Sequence, residues 1–232
     1  MWYKILAWIL KTKTYRNLVR NVLSGWTVRR YGWPSFKGSK YWEIKAALEK
    51  SLADKGKGIF VFCSVDTKMV SYKLNRRLTD CKFNHSGIIF KDPAGELAIK
   101  HINPFGYIYE PLLDFLGRVD HFYVGRMPLA DLKEGQRRLD LIEDLIQKPY
   151  LHFDYDYSIE LEPTLIDYVS DPDKSGLPDR MLNSVKLYCS EFIYLIGYKL
   201  VTDEDFKARW FHDRYIFEPD DVYRGTEPLF DV

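Results

Sequence analysis

A cysteine at the predicted start of a helix is the residue of this chain most suited to nucleophilic chemistry. Cys189 lies near the beginning of the helix that the apolar pattern of residues 185–201 predicts. The first N–H groups of a helix are unpaired and the helix dipole is positive there, and both effects favour thiolate over thiol. A thiolate is the attacking group of cysteine hydrolases. Cysteine is also a common core residue, so position alone leaves both interpretations open.

Two histidines on neighbouring predicted strands could activate such a cysteine. His85 directly precedes the apolar run 86–90 and could act as a general base. His101 lies on the next predicted strand and could fix the tautomer of His85, as the third member of a triad does. The alternatives are a capping role for His85 and a solvent-facing position for His101. His152 is a further candidate base, ranked below His85 because no predicted strand positions it.

Periodicity predicts the elements that must position these residues. The order of the elements, strands in the first half and a long helix carrying the cysteine in the second, predicts an α+β fold. Predicted strands cover 59–63, 86–90, 97–102, 107–109 and 121–125. Predicted helices cover 42–52, 66–79, 111–115, 129–146 and 185–201, and residues 150–180 are predicted to be irregular.

The composition of the chain limits the classes of protein to which it can belong. The 232 residues suffice for one large domain, and 34 basic against 33 acidic side chains give a net charge of +1, which argues against a nucleic-acid binder. The three cysteines, Cys63, Cys81 and Cys189, form no C-x-x-C pair and no disulfide framework. We therefore expect no metal and no cofactor, and a reducing compartment.

The N-terminal segment predicts an amphipathic basic helix over residues 2–23. Its apolar part, residues 2–10, is too short to cross a membrane and lacks the layout of a secretory signal. The helix could pack on the domain, or lie on a membrane surface or a partner. We divide the chain into an N-terminal helical extension, 1–55, and a main domain, 56–232, and expect a cytoplasmic location, with phage or virus association open.

Several blocks, in order, resemble a known family. The central ones are Phe83-Asn84-His85-Ser86-Gly87-Ile88-Ile89 and Leu187-Tyr188-Cys189-Ser190-Glu191-Phe192. The blocks Ile59-Phe60-Val61-Phe62, Pro149-Tyr150, Tyr155-Asp156-Tyr157 and Phe217-Glu218-Pro219-Asp220-Asp221-Val222-Tyr223 accompany them. Together they resemble the permuted NlpC/P60 group of papain-like cysteine peptidases, the YiiX-like or C92 peptidase family, over roughly residues 56–231.

The resemblance implies a circularly permuted papain-like fold, with a central antiparallel sheet packed on the nucleophile-bearing helix. It implies Cys189 as nucleophile, His85 as base and His101 as third polar residue, a position where the family frequently has Glu. Tyr188 and Ser190 would be neighbours of the oxyanion or substrate. The opening strand departs from the family's Gly-Asp-Ile, since Gly58 is followed directly by Ile59.

The function that follows is hydrolysis of an amide bond through a Cys189 thioester, with a peptidoglycan-type peptide implied as substrate. A lipid acyltransferase or thioesterase is the first alternative, because residues 2–23 would suit a membrane-surface substrate. The second alternative is a structural or interaction module, for example in a virion, that reuses the fold without catalysis. The sequence leaves the oligomeric state open.

Overall fold

A computed structural model describes residues 38–66, 82–103, 106–147, 152–156, 163–175, 184–202 and 217–231. Several sequence-based predictions lie outside these ranges: the helix over 2–23, the helix over 66–79 apart from its first residue, Cys81, the block Pro149-Tyr150, and most of residues 24–41, whose Gly and Pro residues predict a loop or linker. These predictions, and the domain boundary at residue 55, stay predictions.

The described elements alternate little along the chain, with most strands preceding most helices. The strands are β1 (Phe60–Val65), β2 (His85–Lys91), β3 (Leu97–Asn103), β4 (Gly106–Pro111), β5 (His121–Arg126), β6 (His152–Tyr155), β7 (Ser184–Leu187) and β8 (Glu227–Asp231). The helices are α1 (Gly38–Lys55), α2 (Leu112–Leu116), α3 (Leu132–Gln147), α4 (Pro163–Ser170), α5 (Pro172–Ser175), α6 (Cys189–Gly197) and α7 (Pro219–Arg224). This α+β architecture confirms the predicted fold class.

A six-stranded sheet in the order β4-β3-β2-β1-β5-β8 forms the centre of the fold, and every neighbouring pair is antiparallel. Two register positions matter for the site. Cys63 of β1 lies opposite Ser86 of β2, and Gly87 lies opposite His101 of β3. The short strands β6 and β7 pair separately and in parallel.

Side-chain alternation divides the core into two layers, because successive residues of a strand point to opposite faces. One face carries Val61, Cys63 and Ile88, and it packs against α3, α6 and α7. We call this the α6 face. The other carries Phe62 and Ile89, and it packs against α1 and α2. We call this the α1 face. Both faces of the central strands are therefore buried, which explains their continuous apolar sequence.

The main differences between the structure and the sequence-based elements lie in three regions. In the C-terminal region, α7 and β8 were not predicted. Residues 150–180, predicted to be irregular, contain β6, α4 and α5. The helix predicted from residue 185 begins instead at Cys189, because residues 184–187 pair as β7 with β6. The effect is to place Cys189 at the first position of its helix, with Tyr188 in extended conformation as the residue before it.

Helix α6 is buried along its whole length, every residue from Cys189 to Gly197 included. A helix that is apolar all round belongs in the middle of a core rather than at its surface. No helix among the described residues is long and apolar enough to span a membrane. The burial of α6 reflects packing between the sheet and its neighbouring helices, and it makes the position of Cys189 rigid.

Candidate functional site

Two imidazoles and a carboxylate form a hydrogen-bonded chain on the α1 face. His85 Nε2 lies 2.8 Å from His101 Nδ1. His101 Nε2 lies 2.8 Å from Glu110 Oε1. The Arg118 guanidinium donates a hydrogen bond to the other carboxylate oxygen of Glu110. We call these residues, His85, His101, Glu110 and Arg118, the imidazole relay.

The register of three strands produces this relay. His85 lies two residues before Gly87, which is paired with His101. Glu110 is paired with Ile99, two residues before His101. Both contacts are therefore diagonal pairs on one face, which lie about 7–8 Å apart at the backbone and suit long or ring side chains. Arg118 reaches the end of the relay from the turn that follows α2.

Aromatic rings shield the relay from water. The rings of Phe62 and Phe115 lie 5.9 Å and 6.2 Å from the ring of His85, and both also contact His101. His101 is buried, whereas His85 is half-buried. Hydrogen bonds in such surroundings are stronger than in water, so the relay holds its members in fixed orientations.

The charge state of Glu110 determines which nitrogen of each ring carries a proton. Burial alone would raise the pKa of Glu110, but hydrogen bonds from His101 and Arg118 outweigh burial and lower it. An ionised carboxylate only accepts, so His101 Nε2 donates and, with His101 neutral, its Nδ1 accepts from His85 Nε2. The network thus assigns the remaining lone pair to His85 Nδ1.

His85 is a neutral imidazole near pH 7. Burial lowers its pKa well below the usual 6.5, and the charges of His101 and Arg118 lower it further. A neutral imidazole with an oriented lone pair can accept a proton, which is what a general base requires. The imidazole relay can therefore perform acid–base chemistry at His85 Nδ1.

Cys189 lies on the other layer of the fold, at the start of α6. It is 4% exposed, and hydrogen bonds place it near the buried Cys63, because Ser190 Oγ bonds the Phe217 carbonyl and Cys63 Sγ bonds the Pro219 carbonyl two residues further on. Burial, more than the nearby charges of Asp220 and Cys189, raises the pKa of Cys63 well above its usual value. Cys63 is therefore a protonated core thiol, and Cys189 is the one at a helix start.

The residues flanking Cys189 are tied to residue 217. Ser190 Oγ donates to the Phe217 carbonyl oxygen at 2.6 Å, and the Phe217 N–H donates to Tyr188 Oη at 3.3 Å. Both hydroxyls are buried, and burial raises the pKa of Tyr188 well above its usual value. Tyr188 and Ser190 thus orient the nucleophile segment, and the substrate-neighbour role expected for them stays a prediction.

The structure brings His85 and His101 together but separates their rings from the layer that holds Cys189. The two imidazoles contact aromatic residues of the α1 face, whereas α6 packs on the α6 face. Cys63 is paired with Ser86, the neighbour of His85, and Cys63 and Ser190 bond the carbonyls of Pro219 and Phe217, so Cys189 lies at the same end of the sheet as His85. For the predicted Cys189–His85 pair to form, the thiol and the imidazole would have to approach each other past that end of the sheet.

Sequence reasoning missed Glu110 and Arg118. The predicted strand over 107–109 stops one residue short of Glu110, so its carboxylate was not assigned to the sheet. Extending that strand through Pro111, as the structure does, places Glu110 on the strand beside His101. His152 begins β6, which removes the reason for ranking it below His85.

Within the described ranges, no group of three or more His, Cys, Asp or Glu side chains is arranged to hold a metal ion. His85, His101 and Glu110 are instead bonded to one another in a line, and the nitrogens of His101 are both occupied. This arrangement suits proton transfer better than the converging set of lone pairs that a metal requires.

The stability of the protein is expected to fall as pH decreases below about 6.5. Because the folded-state pKa of His85 is depressed, the unfolded chain takes up that proton first, and each pKa unit corresponds to about 1.4 kcal/mol. The stabilisation is complete at pH values above the unfolded-state pKa of His85, and it is lost as the pH falls through the folded-state pKa of His85. His85→Gln should flatten this dependence in urea unfolding between pH 7.5 and 5.0.

His121→Gln is the matched control for this measurement, because His121 forms a more exposed bond with Asp231, 2.7 Å long, at the sheet edge. We expect the control to keep the slope of the parent protein. Equal slopes for the parent and His85→Gln would show that His85 titrates like an exposed histidine.

Comparison with known proteins gives structural likeness at low sequence identity. No family model matches the chain, and no curated protein matches it. Among solved structures, the chain is similar to the metalloprotein yiiX from Escherichia coli O157:H7, with 11% identity and a TM-score of 0.46. The match covers 76% of this chain and 96% of that one. A likeness at this level does not extend to chemistry.

Proposed function

We propose that the chain is a cysteine hydrolase that cleaves an amide bond, with Cys189 as nucleophile and His85 as general base. The observation that supports this most is the imidazole relay, in which Glu110 and His101 orient His85 by two bonds of 2.8 Å. A base oriented by a second polar group, itself fixed by a carboxylate, is the arrangement that nucleophilic hydrolases use.

The chemistry proceeds in two steps. In the first, His85 Nδ1 takes the Cys189 proton, and the thiolate attacks the amide carbonyl carbon. The resulting oxyanion is held by the N–H of Cys189, and His85 gives its proton to the leaving amine. In the second, His85 deprotonates a water that attacks the thioester, which releases the acid and restores the thiol.

The position of the two residues sets the condition that this proposal must meet. Cys189 and His85 belong to different layers at one end of the sheet, so the thiol and the imidazole must meet beyond the first residue of β2. His85 is that first residue, so no further residue of β2 separates its side chain from that end of the sheet. The substrate, a peptidoglycan-type or similar peptide, follows from the resemblance and not from the geometry.

Alkylation of the cysteines by iodoacetamide against pH tests the pairing directly. An unperturbed thiol titrates near about 8.5. We expect Cys189 to react well below that pH in the parent protein and to lose at least about tenfold of its rate at pH 6.5 in His85→Ala, because the thiolate then lacks its base. Peptide mass spectrometry reads Cys63 and Cys189 in the same sample.

Cys63 is the internal control, since its raised pKa predicts slow reaction in every variant. His121→Ala controls for loss of an imidazole elsewhere on the sheet. The pairing is wrong if Cys189 reacts no faster than Cys63, or if His85→Ala leaves its pH profile in place.

A second candidate is hydrolysis in which His85 activates a water and Cys189 takes no part. The observation that favours it is the placement of the imidazole relay and α6 on opposite faces of the sheet. Assays with chromogenic peptide anilides and acyl esters separate the two. Activity retained in Cys189→Ala and abolished in His85→Ala supports the water mechanism, and activity abolished in both variants supports the thioester.

A further inference from the structure

The segment of residues 217–220 contacts both halves of the proposed site. It lies between the start of α6, which carries Cys189, and the start of β2, which carries His85. We call it the 217–220 segment. The segment forms hydrogen bonds with the start of α6 and with the start of β2. Its partners are the residues on either side of Cys189 and the residues two and three positions before His85.

On the α6 side, the segment is bonded to the residues directly before and after Cys189. Ser190 Oγ donates to the Phe217 carbonyl at 2.6 Å, and the Phe217 N–H donates to Tyr188 Oη at 3.3 Å. Ser190 and Tyr188 are each 1% exposed. The two bonds therefore fix the backbone of the first turn of α6 to the segment without involving the thiol.

On the β2 side, the segment is bonded to the residues just before His85. The carboxylate of Asp220 accepts the N–H of Lys82 at 2.9 Å and the N–H of Phe83 at 2.8 Å, one on each oxygen. Asp220 is 8% exposed. Charge-assisted bonds from a buried carboxylate to backbone N–H groups are short and strong, so they set the direction in which the chain enters β2.

The segment is itself held firmly. Cys63 donates its thiol hydrogen to the Pro219 carbonyl at 3.3 Å, which attaches the segment to β1. A capping box formed by Glu218 and Asp221 closes the first turn of α7 directly after it. Because this rigid segment is bonded both to the start of α6 and to the start of β2, a shift of one of these elements moves the other.

We propose that the 217–220 segment is a clamp that fixes the start of β2 relative to the start of α6, and that Asp220 is a positioning residue for His85. This inference rests on the proposed function for its catalytic meaning. Its structural content, the coupling of the two starts through Asp220, stands independently of which nucleophile His85 serves.

Asp220→Asn tests the clamp, with Asp221→Asn as the matched control. Asparagine keeps one acceptor but turns an N–H₂ group toward the other backbone donor. Asp221→Asn removes the same charge from the same helical turn, and its amide oxygen can still accept the Glu218 N–H, so the capping box and the bonds to Lys82 and Phe83 remain. We expect amide exchange of Lys82 and Phe83 to accelerate at least about tenfold in Asp220→Asn alone.

The pH titration of the His85 ring by NMR is the second measurement. We expect its midpoint to rise toward the ordinary histidine value in Asp220→Asn, because a loosened strand start exposes the ring, and to stay in place in Asp221→Asn. The pH dependence of Cys189 alkylation should change in Asp220→Asn together with the His85 midpoint. Equal behaviour of the two variants in exchange and titration would overturn the inference.

Ser190→Ala keeps the proposal testable if Asp220→Asn does not fold. This change removes the bond to Phe217 at the α6 end only, yet a clamp should pass the loss to Lys82 and Phe83 as faster amide exchange. Unchanged exchange there means that the two starts are independent. Failure of the proposed function would look different, since Cys189 of the parent protein would then react as an ordinary thiol.

Discussion

Glu110→Gln is expected to reverse the tautomers of both imidazoles in the relay. The carboxylate of Glu110 only accepts, and this forces a proton onto His101 Nε2. A glutamine can turn its N–H₂ group toward that nitrogen and donate instead. His101 Nδ1 would then carry the proton and donate to His85 Nε2, which leaves the proton of His85 on Nδ1, where the lone pair of the base is needed.

The expected effect on catalysis is large. In serine proteases, the amide replacement that leaves the wrong tautomer lowers turnover by about 10⁴-fold. The relay here has one more imidazole between the carboxylate and the base, so we expect a loss of roughly 10²- to 10⁴-fold in hydrolysis. Long-range ¹⁵N NMR of the histidine rings measures the tautomers without a substrate.

Glu143→Gln is the matched control. Glu143 also loses a charge in contact with β3, but it bonds Lys100 and Tyr107 on the α6 face rather than the imidazoles. We expect the control to keep His85 in its Nε2–H form. If Glu110→Gln also keeps that form, or if both variants lose activity equally, the carboxylate does not orient the base.

Gly87→Ala is expected to destabilise the protein by about 3 kcal/mol, as overpacking of a tight core position does. A Cβ at this position would lie 2.6 Å from the Lys100 carbonyl oxygen, 2.6 Å from Phe62 Cε1 and 2.8 Å from His101 Cβ. Two of these atoms belong to β3 itself, so no rotation of a flexible side chain relieves the contact. Either the strands separate or His101 moves out of the relay.

Urea unfolding at pH 7.5 measures this effect, with Ser86→Ala as the neighbouring control. Ser86 Oγ is buried and has no hydrogen-bond partner among the described residues, so its removal should be neutral or stabilising. Gly87→Ala should also weaken the His85–His101 bond, visible as a changed ring titration. A destabilisation below about 0.5 kcal/mol would show that β2 and β3 are less tightly packed than described.

The strands could be predicted from sequence because they are fully buried. Apolar runs bounded by turns such as Asp92–Gly95 located β1, β2 and β3 to within two residues. Because both faces of these strands are buried, their apolar sequence does not show which face packs against α6. Ile88 and Ile89 are both apolar and point in opposite directions, so alternation alone cannot say whether His85 shares a face with the nucleophile helix.

The carboxylate of the relay was missed for a related reason. Glu110 is a polar residue at the border of a predicted strand, where charged side chains usually face solvent. Its burial is supported by two partners, His101 and Arg118. His101 becomes a neighbour only through the antiparallel pairing of β3 with β4, and Arg118 only through the turn after α2. Tertiary partners of this kind have no local sequence signal.

The pairing of β8 with β5 has a consequence for how the chain folds. His121 and Asp231 are bonded to each other at one end of this ladder, yet they are 110 residues apart in sequence. During synthesis β5 is made long before β8, so one side of it stays an open edge that offers unpaired N–H and C=O groups to other chains. Contacts this distant form late and slowly. Self-association therefore competes most with folding in the time between the synthesis of β5 and the synthesis of β8.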